Sequence, residues 1–149
     1  MRCLVKSFQE LSNEELYHCL QLRNAVFVVE QNCPYQDLDG LDEQAWHLLL
    51  FYDDMLAGYC RILPPGLVYE NAAIGRVLIK TEFRKKGLGI FMMQTAITKT
   101  KELFENQNIT ISAQCYLIPF YRNLGFKSCG EEYLEDNIPH IKMVYISEK

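Results

Sequence analysis

The sequence has no long apolar segment. Its longest unbroken apolar runs, Ala25–Val29 and Leu48–Tyr52, are far shorter than the ~20 residues that a membrane-spanning helix needs. The opening segment Met1–Glu10 likewise lacks the apolar stretch of a signal peptide. These absences predict a cytoplasmic protein that is not embedded in a membrane.

The sequence also lacks clustered metal ligands. Its cysteines are scattered, with no CxxC pair, at positions Cys3, Cys19, Cys33, Cys60, Cys115 and Cys129. The three histidines, His18, His47 and His140, are far apart along the chain. We therefore expect free thiols and no metal site.

Positive charge is not in excess. The chain has 15 Lys and Arg against 19 Asp and Glu, a formal net charge of −4. Binding to nucleic acid or to an anionic membrane surface requires a positive footprint, so neither partner is expected. A cationic small molecule or a basic peptide suits this charge better.

The 149 residues, of which 49% are hydrophobic, suit a single domain spanning residues 1–149. Ser12, with Glu15 three residues later, predicts the capped start of the first helix. Alternating and helical periodicities predict the order β-α-β-β-β-α-β-α-β-β. The predicted strands are Met1–Phe8, His47–Asp53, Met55–Leu63, Ala72–Lys80, Ile109–Gln114, Phe126–Leu134 and His140–Ser147. The predicted helices are Asn13–Glu30, Leu88–Glu105 and Tyr116–Asn123. This order indicates an α/β fold with a mixed sheet flanked by helices.

Two features admit both a structural and a functional interpretation. The loop Asp37–Glu43 contains four acids, which form either a solvated surface or a rim that attracts a cationic amine. Arg23 and Arg61 are either buried ion-pair partners, which we favour, or substrate anchors.

The segment Arg84–Gly89 (RKKGLG) links the strand ending in Val77-Leu78-Ile79 to a predicted helix. Unpaired amides at a helix start attract phosphate, and glycines let the backbone approach it closely. Such a turn can also be a simple solvated helix start, so by itself the pattern is weak.

Two motifs carry a family resemblance. Arg84–Gly89 matches the R/Q-x-x-G-x-G/A motif of the GCN5-related N-acetyltransferase (GNAT) superfamily, and Phe120–Phe126 resembles its second hallmark, a helical tyrosine followed by x-x-x-G-F. The runs Arg23–Tyr35 and Glu132–His140 resemble the ElaA-type branch of that superfamily. The resemblance covers essentially the whole chain.

The resemblance implies a single-domain, mostly antiparallel GNAT sheet and acetyl-CoA as cosubstrate. It implies that the pyrophosphate binds the turn formed by Arg84, Lys85, Lys86, Gly87, Leu88 and Gly89. The pantetheine arm would lie beside Val77, Leu78 and Ile79. Gln114 occupies a position where the family often has a cofactor-binding Asn, and Tyr121 would protonate the departing thiolate after direct attack by an amine in a ternary complex.

The acceptor amine must lose a proton before it attacks, and the sequence does not single out the base. The candidates are Glu30, His47, Glu70, Glu132, His140 and ordered water. We assign Glu30 and His140 to substrate binding. The partners expected are acetyl-CoA and an amine-bearing acceptor, with the protein a monomer or a homodimer.

Two alternatives to acetyl transfer remain open. Acyl-homoserine-lactone synthases resemble the Arg23–Phe27 run and use longer acyl chains. A non-catalytic CoA-binding module would keep the fold without turnover.

Overall fold

The computed structural model describes residues 1–147, which form three α-helices and seven strands. The strands are β1 Arg2–Ser7, β2 Trp46–Tyr52, β3 Met55–Leu63, β4 Ala72–Ile79, β5 Ile109–Gln114, β6 Phe126–Glu135 and β7 Ile138–Tyr145. The helices are α1 Asn13–Arg23, α2 Leu88–Leu103 and α3 Ile118–Asn123. The predicted element order is confirmed.

One sheet contains all seven of these strands, in the order β1-β2-β3-β4-β5-β7-β6. Only β4 and β5 run parallel to each other; the remaining pairs are antiparallel. The predicted α/β class with a mixed, mostly antiparallel sheet is therefore confirmed. Among the described residues, no helix is long and apolar enough to cross a membrane.

The helices cover both faces of the sheet. On one face, α2 and α3 pack on a core that includes Leu48 and Ile111. On the other, α1 and the residues after it pack against Leu49 and Tyr59. The opposite placement of Leu48 and Leu49 follows from the two-residue period of a strand.

The first helix begins as predicted and is wound differently in its second half. The Ser12 side chain accepts a hydrogen bond from the Glu15 N–H at 3.1 Å, and the Glu15 carboxylate accepts one from the Ser12 N–H at 2.8 Å. After α1 the chain continues to Glu30 as a π-helix, Asn24–Glu30. Wide π-turns are frequent at functional sites, and this one carries Phe27 to the central cavity described below.

Strands β4 and β5 separate soon after they meet. They pair only through Ala72 with Ile109 and Ala73 with Thr110. The pairing of β4 with β3 shifts register between Gly75 and Leu78. Arg76, within this stretch, has a φ of +50°, which lies in the left-handed region. The extra residue is a β-bulge, a feature that bends the strand carrying it.

The last two strands start and end differently from the prediction. Asp136 and Asn137, with φ values of +51° and +63°, form a tight two-residue turn of the kind that suits the twist of a hairpin. This turn lets β7 begin at Ile138 rather than His140. At the other end, Ser147 lies outside β7, and its N–H donates to the Asn108 side chain at 3.0 Å.

Candidate functional site

A cavity of about 270 Å³ lies where β4 and β5 separate. We call it the central cavity. Val77 of β4, Gln114 of β5 and Tyr121 of α3 line it. Residues far apart in sequence therefore meet at the gap in the sheet, as ligand-binding residues commonly do.

Tyr121 is the buried aromatic wall of the central cavity. The side chain is 5% exposed and packs edge-on against Phe120 and Phe126, with ring centroids 5.1 and 5.9 Å away. Burial, reinforced by the nearby Cys60 and Tyr116, raises the pKa of Tyr121. The phenol therefore keeps its proton at neutral pH, the state that a general acid requires.

The predicted phosphate-binding turn, Arg84–Gly89, lies at the start of α2. Gly87 is the N-cap with φ +75°, and a Cβ built there meets nothing within 4 Å. At Gly89 a Cβ would come within 3.4 Å of the Phe120 ring. The first amides of this 16-residue helix lack intrahelical acceptors, so the turn offers donors and space to an anion.

Arg84 of this turn is held by the end of the π-helix. Its Nη1 lies 2.6 Å from Glu30 Oε2 and its Nη2 lies 3.0 Å from Glu30 Oε1. Arg84 Nε also donates to the carbonyl of Ile79 at 2.8 Å, and Thr81 donates to Glu30 at 2.8 Å. Glu30 therefore contacts the turn predicted to bind the cofactor, and it is not among the residues lining the central cavity.

The remaining turn residues and the β4 residues occupy different surroundings. Val77 lines the central cavity, whereas the Leu78 side chain is buried against α1 and Ile79 lies near Gly89. Lys85 and Lys86 are exposed, and Leu88 is 2% exposed in the core. Leu78 and Leu88 can therefore contact a ligand through their backbone atoms only.

The acidic loop folds onto buried arginines. Arg23, 1% exposed, donates to Asp37 and to Asp42, both at 2.8 Å. Arg61 donates to Asp39 at 2.8 Å and to Asp42 at 2.9 Å. The interpretation of this loop as a solvated surface is therefore wrong for Asp37 and Asp42, which are each 8% exposed, whereas Asp39 and Glu43 are exposed. The buried ion-pair interpretation of Arg23 is confirmed.

Arg76, at the bulge of β4, joins the same cluster, with its guanidinium 2.8 Å from Asp37. Burial opposes the ionisation of Asp39, but hydrogen bonds from Arg61 and from the Leu41 N–H outweigh it and hold the pKa of Asp39 well below its usual range. The cluster therefore fixes one wall of the central cavity, where Asp39, Arg61 and Arg76 are exposed to it.

Histidine 47 does not reach the central cavity. It is 1% exposed; its Nε2–H donates to the Asp42 carbonyl at 2.9 Å, and the Tyr59 hydroxyl donates to its Nδ1 at 2.6 Å. Burial lowers the pKa of His47, so the ring is a neutral structural bridge. Its candidacy as the base is thereby excluded.

Two further base candidates lie on the surface. Glu70 and Glu132 are exposed, and neither lines the central cavity. His140, by contrast, is 6% exposed and lines it. Its cross-strand neighbours are Gln114 on β5 and Tyr133 on β6.

Sequence reasoning missed Glu135 and Arg76 as lining residues. Glu135 Oε2 lies 3.4 Å from His140 Nε2, and both residues line the central cavity. Their spacing on either side of the tight turn places them on one face of the β6–β7 hairpin. That spacing was available in the sequence, whereas the left-handed backbone of Arg76 had no local signal.

Comparison with known proteins agrees with this geometry. The family model described as "Acetyltransferase (GNAT) domain" matches residues 8–147. Protein ElaA of Escherichia coli strain K12 is 42% identical over 136 residues, which cover 90% of this chain and 89% of ElaA.

Two solved structures are also similar. A crystal structure of an acyl-CoA N-acyltransferase from Pseudomonas aeruginosa is 40% identical, with a TM-score of 0.91, covering 97% of this chain and 98% of that one. Escherichia coli ElaA superposes with a TM-score of 0.90 at 38% identity, over 97% of this chain and 98% of ElaA. The chain therefore belongs to the GNAT acyltransferase superfamily. Within that superfamily it belongs to the ElaA-like branch.

Proposed function

We propose that the protein is an acetyl-CoA-dependent N-acetyltransferase that acetylates a primary amine by direct transfer. The observation that carries the proposal is the presence of three features in one fold: the glycine-containing turn at the start of α2, the unpaired edge of β4 and the buried Tyr121. The similar acyl-CoA N-acyltransferase of Pseudomonas aeruginosa supports the same class of donor.

Acetyl-CoA would bind along the turn and the strand edge. The open space over Gly87 and the free amides of α2 suit the pyrophosphate, and Arg84, Lys85 and Lys86 supply positive charge. Past Ala73, the edge of β4 that faces β5 has no strand partner, and within residues 77–79 the Ile79 carbonyl accepts from Arg84. The backbone groups left unpaired there would bind the pantetheine arm as an added strand would, and would stabilise the oxyanion.

Tyr121 would complete the transfer. The amine attacks the thioester carbonyl, and the electron pair of the broken C–S bond passes to sulfur. Tyr121 then donates its phenolic proton to the thiolate. Gln114 lines the same cavity and would orient the donor.

The acceptor would enter the central cavity from the side of the β6–β7 hairpin. Glu135 and Asp136 line this end of the cavity, and their carboxylates favour a cationic amine over an anionic one. His140 would contact the acceptor, whereas Glu30 would act through Arg84 on the donor side.

Calorimetric titration with acetyl-CoA and with free CoA tests the proposal, followed by a thiol-release assay with a panel of amines. Saturable binding and amine-dependent thiol release are expected. A folded protein that binds neither thioester nor CoA would overturn the proposal. Binding without release would favour the non-catalytic module, and faster release from hexanoyl-CoA than from acetyl-CoA would favour the long-chain alternative.

A further inference from the structure

The His140 ring is oriented by a hydrogen bond at Nδ1, and the residue lines the central cavity. Its Nδ1 lies 2.7 Å from the carbonyl oxygen of Ile138. A carbonyl can only accept a hydrogen bond, so Nδ1 carries the proton. In the neutral form of the ring, Nε2 therefore carries the lone pair that a base requires.

The Glu135 carboxylate lies beside Nε2. Glu135 Oε2 lies 3.4 Å from His140 Nε2, and an ionised carboxylate is also purely an acceptor. When the His140 ring is neutral, Nε2 and Oε2 are both acceptors, and a group with N–H donors can satisfy the two together. An alkylammonium ion, with positive charge and three N–H donors, provides what both atoms lack.

The surroundings hold this pair in place. Tyr133 stacks on the His140 ring, with centroids 6.2 Å apart and planes at 21°. Tyr133 also bonds to Ser112, whose hydroxyl lies 3.5 Å from Glu135 Oε1. The Cys33 thiol donates to the Asp136 carbonyl at 3.5 Å and fixes the tip of the hairpin against the opposite wall.

Nearby cations do not neutralise the pair. Lys142, the adjacent cation on β7, lies over the Tyr69 ring at 5.5 Å. Arg61 and Arg76, across the cavity, are engaged by Asp39 and Asp37. Asp136 adds a further carboxylate to the lining. This end of the cavity is therefore acidic and free to take a cation.

We propose that Glu135 and His140 form the ammonium subsite of the acceptor, with Glu135 as counter-ion and His140 Nε2 as the base. The proposal rests on the proposed N-acetyl transfer and names the residues that prepare the nucleophile. The acceptor class it specifies is a primary alkylamine that is protonated at neutral pH.

The proton balance is complete with groups already named. His140 Nε2 takes one proton from R–NH3⁺, and the freed nitrogen lone pair forms the C–N bond. Tyr121 gives its proton to the CoA sulfur as the C–S bond breaks. The second amine proton returns to the Tyr121 oxygen, directly or through water, and His140 releases its proton to solvent. The sum is amide, CoA thiol and one proton.

The first test compares two acceptors in the variant His140→Asn. Asparagine keeps an N–H donor for the Ile138 carbonyl and removes the base. With propylamine, which is protonated at neutral pH, we expect thiol release to fall about 100-fold or more. With hydroxylamine, which is already neutral, the loss should be less than about fivefold. Equal losses with both acceptors would overturn the assignment, because a merely structural defect does not distinguish them.

Two matched glutamate variants test the counter-ion. Glu135→Gln should raise the KM for propylamine about tenfold, equivalent to about 1.4 kcal/mol, and leave the KM for hydroxylamine nearly unchanged. Glu131→Gln, an exposed residue on the same strand, should change neither. An unchanged propylamine KM in Glu135→Gln would remove Glu135 from the subsite.

A measurement independent of turnover separates this proposal from the proposed function. In protein with ¹⁵N-labelled histidine, the His140 ring should be neutral with its proton on Nδ1 at neutral pH, and its Nε2 signal should shift on addition of propylamine. A ring that is already an imidazolium, or that ignores propylamine, overturns the subsite even if acetyl transfer occurs. Propylamine binding without acetyl-CoA binding overturns the proposed function and leaves the subsite standing.

Discussion

The guanidinium of Arg84 and the carboxylate of Glu30 form a two-pronged ion pair across 54 residues of sequence. The pair joins the end of the π-helix to the turn that begins α2. Arg84 and Glu30 side chains are 37% and 38% exposed, so both can exchange partners with a ligand. Glu30 therefore pairs with the guanidinium that would otherwise be available to a pyrophosphate.

We expect Glu30→Gln to strengthen CoA binding. Removing the competing carboxylate frees Arg84, and an exposed pair of this kind is worth up to about 1 kcal/mol, so the Kd should fall by up to about fivefold. Calorimetry with CoA measures the change. Glu82→Gln is the matched control, because Glu82 pairs with Lys80 rather than with Arg84. Weaker binding in Glu30→Gln would mean that Glu30 positions Arg84 instead of competing for it.

Tyr121→Phe should lower turnover with little effect on CoA affinity. The phenol supplies only a proton, and general acid catalysis contributes about 10²- to 10⁴-fold. Because burial raises the pKa of Tyr121, the wild-type rate should show no loss from tyrosine ionisation as the pH rises from neutral to mildly alkaline. Steady-state kinetics beside CoA calorimetry test both statements. Tyr17→Phe, at a 68% exposed tyrosine on α1, should behave as wild type; an equally active Tyr121→Phe would exclude the phenol from the reaction.

Gly89→Glu and Gly87→Glu should abolish CoA binding. Each places a carboxylate where the pyrophosphate would lie, and at Gly89 the new side chain also meets Phe120. Gly130→Glu is the control, since Gly130 shares the left-handed backbone of Gly87, with φ values of +87° and +75°. Thermal unfolding checks that all three variants fold. Normal CoA affinity in folded Gly89→Glu would reduce the turn to a simple helix start.

Asp42→Asn should destabilise the fold by about 3–5 kcal/mol, because it leaves part of a buried charge cluster unpaired. Asp54→Asn, at a side chain that is 94% exposed, should change the free energy of unfolding by less than about 0.5 kcal/mol. Urea unfolding at neutral pH gives both values. A loss below about 1 kcal/mol for Asp42→Asn would mean that the arginines find other partners.

The same cluster predicts a loss of stability in acid. Burial opposes ionisation of Asp39 and Asp42, but their arginine partners prevail and the pKa of each carboxyl is lowered on folding. Their contribution is complete above the usual aspartate pKa of about 3.9 and is lost as the pH falls below it. Urea unfolding from neutral to acid pH measures this. Asp42→Asn should lose less stability over that range than wild type; parallel curves would contradict the assignment.

Sequence periodicity predicted the elements because each one has its own local signal. The Ser12–Glu15 capping box and the glycine turn before α2 are local chemistry, and both stand where they were expected. The π-winding of Asn24–Glu30 had no such signal, because it depends on what the segment packs against. The two-residue turn at Asp136-Asn137 makes β7 begin at Ile138, whereas the apolar pattern predicted a start at His140.

The site was predictable only in part. Tyr121 and the turn at Gly87 sit on short motifs, so their positions could be read from the sequence. Glu30 and His140 were assigned to one acceptor site, yet Glu30 contacts Arg84 and His140 faces Glu135. Pairings between residues of different elements are decided by tertiary packing, which no window of sequence contains.

The gap between β4 and β5 is an opening built into the sheet. Two residue pairs connect the halves of the sheet, while the core beneath runs without interruption from Leu48 in one half to Met143 in the other. The packing of this core, rather than a bound ligand, therefore holds the gap open. A ligand that binds in this gap contacts walls that are already ordered, so its affinity is reduced little by the entropic cost of ordering the site.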